Sequence, residues 1–295
     1  MYLRGLNMKN NVLATIKSEM PRMSKGQRRI SEYILTHYEK AAYMTAAKLG
    51  QNSGVSESTV VRFANELGYN GYPEFLHALQ TAVDARLTSV QRIEVTDERI
   101  GNASVLEKTL NSDIAKIKAT LEANDSDYFE SVVESIINAE NLYIAGARST
   151  SVLSDLLSYN MKLAFDHVHR VDTSSGSIIF EQMHRIKKGD VFIALSFPRY
   201  SKRIVKAVSF AKNCGAEVIG ITDNESSPIA PFADKLLFAK SDMASYMDSL
   251  VAPLSLINAI IVSITLKRKE DLAATFERLE RVWDEYDVFD KAQDN

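Results

Sequence analysis

The chain has 295 residues, room for two units at a prior of roughly 150 residues per domain. Hydrophobic residues make up 45% of it and charged residues 25%, a globular composition that excludes general disorder. The net charge of −3 is unevenly spread: residues 1–86 hold 11 Lys and Arg against 7 Asp and Glu, the remainder 24 against 31, so a basic unit suited to a polyanion precedes an acidic body.

From Asn10 to about Arg86 every periodic segment is helical. Val12, Leu13, Ile16 and Met20 recur at helical spacing. Ser24 is placed to cap KGQRRISEYILTHY, in which Ile30, Ile34 and Leu35 share a face. Further helices are expected at about Thr45–Asn52, Glu57–Leu67 with Gly68 as its stop, and Phe75–Leu87. Residues 89–104, SVQRIEVTDERIGNAS, lack a sustained apolar face and read as a linker. Helices follow at Val105–Glu122 and Asp127–Asn138.

After Asn141 the period changes. Short apolar runs at 142–146, 168–171, 191–195, 218–222 and 236–239 mostly alternate with helical stretches, which implies βαβ units. The expected fold is α/β: an all-α domain at 1–86, a linker at 87–104, and an open, mostly parallel five-stranded sheet flanked by helices at 105–290. Helix 248–267, apolar on most faces despite Pro253, is expected to be wholly buried, either between subunits or under the sheet. Helix 271–286 carries Leu272, Phe276, Leu279 and Trp283, a stripe for intrachain packing or a dimer contact.

The most informative stretch is TAAKLGQNSGVSESTVVRFANELGY, residues 45–69. Leu49 faces inward, Gly54 supplies the positive φ of a tight turn, Val55 fills the corner, and Ser56 caps the second helix. Val60, Phe63 and Leu67 bury one face of that helix, leaving Glu57, Ser58, Thr59, Val61, Arg62 and Asn65 on or near the other. Small polar groups at a helix N-terminus suit a phosphate or base edge, and Arg and Asn pair bidentately with guanine and adenine. Ser56, Glu57, Ser58, Thr59, Arg62 and Asn65 are therefore candidate DNA contacts in a major groove; Lys25, Arg28 and Arg29 add basic charge nearby. A helical hairpin without a DNA role is the plainer alternative.

The run Gly54-Val55-Ser56, Thr59-Val60-Val61-Arg62-Phe63, Leu67-Gly68-Tyr69 and Gly71-Tyr72 resembles the N-terminal domain of the RpiR/MurR family of bacterial transcriptional regulators. That family joins this domain to a C-terminal SIS (sugar isomerase) domain, and the resemblance continues through nearly the whole chain. It implies a double-stranded operator as partner.

An open parallel sheet places ligands beyond the carboxyl ends of its strands, at a switch in strand order. Two such ends carry hydroxyl and basic groups: Gly146, Ala147, Arg148, Ser149, Thr150 and Ser151, then Ser196, Phe197, Pro198, Arg199, Tyr200 and Ser201. Each sets hydroxyls, backbone amides and one arginine at a helix N-terminus, which favours an anion over simple capping. Gly146, Arg148, Ser149, Thr150, Ser151, Ser196, Arg199, Tyr200 and Ser201 are the candidate ligand residues. In SIS domains the loops usually read G-x-G-x-S and S-x-S-G-x-T; here Arg148 stands at the second glycine, with Pro198 and Arg199 inside the other motif. The resemblance implies a phosphorylated sugar, and the arginines extend the choice to a carboxylated or more acidic metabolite.

His167, His169 and His184 form no recognisable catalytic pattern, and Asp172, Asp223 and Glu225 follow strands where acids commonly cap turns. No P-loop, metal-ligand cluster or nucleophile elbow occurs in the sequence, so no cofactor or metal is expected. A regulator is favoured, with a sugar-phosphate isomerase carrying an accessory helical domain as the competing class. A helix-turn-helix reads two half-sites through a two-fold, so self-association as a dimer or tetramer is expected. The single Cys214 excludes a disulfide framework. No stretch of ~18 uninterrupted apolar residues and no signal-like apolar region in MYLRGLNMKN are present. The expectation is a cytoplasmic protein with no membrane partner.

Overall fold

A computed structural model describes residues 12–84, 87–101 and 104–289. The expected helix start at Asn10 and the domain edges at Arg86 and 290 lie outside the described residues. Contacts divide the chain into two compact units, Met1–Ser112 with Asp242–Ser249, and Asp113–Ser241 with Leu250–Asn295.

The first unit is helical: α1 Val12–Glu19, α2 Lys25–Thr36, α3 Tyr38–Ala41, α4 Ala46–Ser53, α5 Glu57–Glu66, α6 Tyr72–Asp84 and α7 Ser89–Ile100. Ser24 caps α2 in a reciprocal box: its amide donates to Gln27 Oε1 at 2.8 Å, while its hydroxyl accepts from the Gln27 amide at 3.5 Å. The core joins Ile16, Ile30, Ile34, Leu49, Val60, Phe63, Phe75 and Leu79, all buried. Phe75 is its aromatic centre, with Phe63 edge-on at 5.7 Å and Tyr69 at 5.5 Å. Tyr72 closes one side by donating its hydroxyl to Met44 O at 2.8 Å, and burial pushes that phenol well above its ordinary range.

The linker expected at 87–104 is a correction. Residues 89–100 form a capped helix, with Thr88 and Gln91 exchanging bonds of 2.9 and 3.3 Å. Its inward stripe escaped hydrophobic reading because one of its two buried residues is an arginine. Arg92 is fully buried and donates to Asp248 Oδ1 at 2.8 Å, Val95 packs beside it, and Arg99 donates to Met243 O at 3.0 Å. The segment 242–249 that supplies these partners belongs to the helical unit, where Met243 enters the core.

The division between units falls within α8, Val105–Glu122, whose bounds match the expectation. The second unit continues with α9 Ser126–Ile137, β1 Leu142–Gly146, α10 Ser151–Ala164, β2 Val168–Arg170, α11 Gly176–Met183, β3 Val191–Leu195, α12 Lys202–Asn213, β4 Glu217–Thr222, β5 Lys235–Phe238, α13 Val251–Lys267 and α14 Lys269–Glu285. All four strand pairings are parallel, in the order β2-β1-β3-β4-β5. The fully buried runs LYIAG and VFIAL are the two adjacent central strands, apolar on both faces because helices cover both. α9, α10 and α13 pack on one face, α11 and α12 on the other. Of the two placements expected for 248–267, burial under the sheet is met only on one side within this chain. α13 buries Ala252, Leu256, Ile257, Ile260 and Ile264 in the core, whereas Val262 is 57% and Leu266 70% exposed. Among the described residues no single helix is long and apolar enough to cross a membrane.

Candidate nucleic-acid interface and ligand crevice

The hairpin of α4 and α5 is built around two glycines with different duties. Gly54 takes φ +66° and ends α4, a left-handed turn that an L side chain enters at a cost. Gly50 permits close approach instead: a Cβ there would lie 2.9 Å from Val55 O and 3.3 Å from Glu57 N. Sequence reading missed Gly50, because nothing in the spacing of a helix marks which glycine faces a neighbour. Arg29 Nη1 donates to Gly54 O at 3.4 Å, and Gln27 Nε2 donates to Glu66 Oε2, so α2 braces both ends of α5.

Ser56 caps α5 by accepting from the Thr59 amide at 3.3 Å, and its hydroxyl contacts those of Ser58 and Thr59 at 2.9 and 2.8 Å. Val60, Phe63 and Ala64 are buried. Ser56, Glu57, Ser58, Arg62 and Asn65 are exposed, and Thr59 and Val61 are half-buried. Thr59 sits against α2, its methyl 3.5 Å from where a Gly26 Cβ would stand. Of the nearby cations, Arg28 donates to Met23 O and Pro21 O, both at 3.0 Å. Arg28 and Arg29 thus also hold backbone, and Lys25 and Arg62 extend from exposed helix positions. The arrangement offers duplex DNA a rigid helix whose outward side carries hydroxyls, an amide and a guanidinium.

In the sheet unit, β1 is flanked by β2 and β3, and chain direction around the sheet reverses there. This is a switch in strand order, the place where open parallel sheets generally bind ligands beyond the carboxyl ends of their strands. The two expected loops leave neighbouring strands, Gly146 pairing with Leu195. They carry two of the three non-glycine residues with left-handed backbone among those described: Arg148 at φ +60° and Arg199 at φ +63°. Each conformation costs on the order of 1 kcal/mol in an L-residue. Both guanidinium-bearing residues are exposed, and neither loop contains an acid.

The remaining candidates divide by burial. Gly146 is interior, since a Cβ would lie 2.8 Å from Thr150 C, so its smallness seats the loop. Thr150 is buried and knots the same turn, accepting from Ala147 N at 2.9 Å and donating to Ala147 O at 2.8 Å. Ser151 donates to Arg148 O at 2.7 Å. Ser149 is exposed and Ser201 half-buried. Ser196 is only 3% exposed and its hydroxyl has no hydrogen-bond partner among the described residues. Neither α10 nor α12 takes a side-chain cap. Tyr200 donates its hydroxyl to Asp223 Oδ1 at 2.8 Å. Burial pushes the Asp223 carboxyl above its ordinary range, against the hydrogen bonds from Tyr200, Thr222 and Asn224.

The other titratable candidates serve packing or turns. His169 stacks on Tyr143 at 4.6 Å, and desolvation lowers its pKa. His184 Nδ1 lies 2.7 Å from Glu181 O, and His167 is exposed. Asp172 accepts from the Ser174 amide and hydroxyl at 2.8 and 2.9 Å, and these bonds hold its pKa below the usual value. Glu225 is exposed near the outer edge strand β5.

Comparison with known proteins agrees with this division. Residues 10–86 match the helix-turn-helix domain of the rpiR family, and residues 135–263 match the SIS domain. The chain is 25% identical over 274 residues to the HTH-type transcriptional regulator HexR of Pseudomonas aeruginosa, covering 91% of this chain and 94% of that protein. Its fold resembles that of the Vibrio vulnificus NanR protein complexed with ManNAc-6P, with a TM-score of 0.56, 23% identity, and coverage of 92% and 98%. The sugar isomerase domain of an RpiR transcription factor from Sphaerobacter thermophilus aligns at a TM-score of 0.55 and 22% identity, over 59% of this chain and 97% of that one.

Proposed function

Because the chain belongs to the RpiR family, and is a transcriptional regulator with helix-turn-helix and SIS domains, we propose that α5 reads a double-stranded operator and that an anionic metabolite in the sheet crevice alters operator binding. The reading assigns DNA to residues 1–86 and effector binding and self-association to residues 105–290. The observation that carries it is the outward face of α5, where Ser56, Glu57, Ser58, Arg62 and Asn65 lie exposed on a helix braced from behind. Thr59 joins them through its hydroxyl, 2.8 Å from that of Ser56.

The effector reading is supported by the uncapped starts of α10 and α12, the buried unpartnered Ser196 hydroxyl and the two arginines. The sugar phosphate bound to the NanR structure supports a phosphorylated sugar or a related carboxylate as its class. Effector control follows by linkage if the ligand binds DNA-competent and DNA-incompetent arrangements unequally. A homo-oligomer supplies the two-fold that a pair of half-sites requires. Operator binding puts the site of action in the cytoplasm.

Gel-shift titration with duplex DNA from upstream of its own gene tests this. Arg62→Ala is expected to weaken binding roughly ten- to a hundredfold, the worth of one base-edge arginine. Unchanged binding in that variant would overturn the assignment of α5.

A further inference from the structure

Resting on the self-association read above, we propose that α8 is the surface on which two copies of this chain meet, as an antiparallel, two-fold helix pair closed by Leu106, Leu110, Ile114, Ile117 and Leu121. These five recur at three- and four-residue steps along Val105–Glu122, one stripe about 23 Å long. A helix in a globular chain turns such a stripe towards the core. α8 does the reverse: the stripe residues are 38% to 75% exposed, whereas the buried positions are Lys116 and Thr120. Lys116 Nζ lies 3.3 Å from Asp113 Oδ1, so even the inward charge is met on the helix itself. A continuous apolar row held outward marks a contact surface.

The inversion has a cause in the sheet. β5 is an edge strand, and side chains from α8 and the residues after it meet its outer backbone groups. The Lys240 amide donates to Thr120 Oγ1 at 2.9 Å, and the Leu236 amide donates to the Tyr128 hydroxyl at 3.0 Å. Between them Asn124 accepts from the Phe238 amide at 2.9 Å and donates to Phe238 O at 2.7 Å. Growth of the sheet by strand pairing is blocked there, and the polar side of α8 is committed to that edge. Its apolar side is thereby turned away from the sheet. The charges on α8 select the occupant. About three turns separate Glu107 from Lys118, both exposed, so they line one flank of the stripe. An antiparallel pairing that sets Leu106 opposite the partner's Leu121 and Leu110 opposite the partner's Ile117 brings Ile114 beside its own copy. It also brings Glu107 within one turn of the partner's Lys118, twice over, so opposite charges border one apolar seam. A surface that complements itself under a two-fold fits a second copy of the same chain.

Sedimentation of the full chain over a range of concentrations tests the pair. Ile114→Glu, at an exposed position, is expected to weaken self-association roughly a hundredfold by placing a charge at the centre of the seam. Lys118→Glu sets acid against acid on both flanks and should weaken it about tenfold, and adding Glu107→Lys to that variant should restore it. In a Cys214→Ser background, Ile114→Cys should form a disulfide between copies under mild oxidation, because the two-fold places that position against itself. The cross-link depends on geometry alone and decides the matter even where the charged variant folds poorly. Undiminished association in Ile114→Glu, or no cross-link from Ile114→Cys in a chain that associates, overturns the α8 pair and leaves self-association through another face standing. Failure of Glu107→Lys to rescue Lys118→Glu overturns the antiparallel register. A native chain that stays monomeric at every concentration overturns both this pair and the self-association on which it rests.

Discussion

The start of α5 and the starts of α10 and α12 meet one structural problem and answer it differently. In each, the chain turns sharply before a helix and a residue enters the left-handed region. Before α5 that residue is Gly54, and Ser56 then accepts from the first-turn amide of Thr59. In the sheet unit the left-handed residues are Arg148 and Arg199, and no side chain caps the helices that follow. The helix proposed to read DNA thus has its cap supplied by the chain itself, and its outward side chains are the groups left to meet a partner. The two loops of the sheet unit instead leave their helix starts without a side-chain cap and keep the Ser196 hydroxyl buried and unpaired.

If that contrast is right, the helical unit should be costly to disturb. Asp248→Ala should show the largest effect, about 3 kcal/mol lost in denaturant unfolding, because it takes a carboxylate at 2.8 Å from the fully buried Arg92 guanidinium. A loss below about 1 kcal/mol would mean that water reaches Arg92. Gly50→Ala comes next, at about 2 kcal/mol, since the added methyl meets the Val55 carbonyl. DNA affinity should fall with it as α5 is pushed outward.

The caps give the sharpest comparison. Ser56→Ala should cost about 1 kcal/mol of thermal stability, while Ser201→Ala, which removes no capping bond, should stay within roughly 0.5 kcal/mol. Equal losses at the two serines would erase the distinction. Acidification provides the subtlest probe. Burial raises the Asp223 pKa, so the fold binds its proton more tightly than the unfolded chain does. The cost of its charge is fully present above the raised value, shrinks as pH falls through it, and is gone below the ordinary carboxylate range. Relative to Asp223→Asn, the native chain should gain melting temperature as pH falls from neutral, and a constant difference between the two would contradict this.

Much of the architecture was legible because it rests on periodicity. The bounds of α8 matched, and the strand positions fell within a residue of those found. The hairpin was legible from Gly54, Val55 and Ser56 because turn chemistry there is local. α7 was not, since an inward arginine reads as surface until its counter-charge, 156 residues away, is known. Gly50 was silent for the same reason: close packing is a property of pairs. In the crevice the residue types were visible at both loops, but burial then divided them. Thr150 and Ser151 bond their own turn, whereas Ser196 keeps a buried hydroxyl unspent.

The eight residues 242–249 belong to the helical unit although they are encoded far downstream, between β5 and α13. Excising the helical half by cutting the gene after residue 112 would therefore take the Asp248 carboxylate away from Arg92 and Met243 out of the core. Recombination faces the same obstacle, since the front half cannot be traded as a cassette unless this distant splint travels with it.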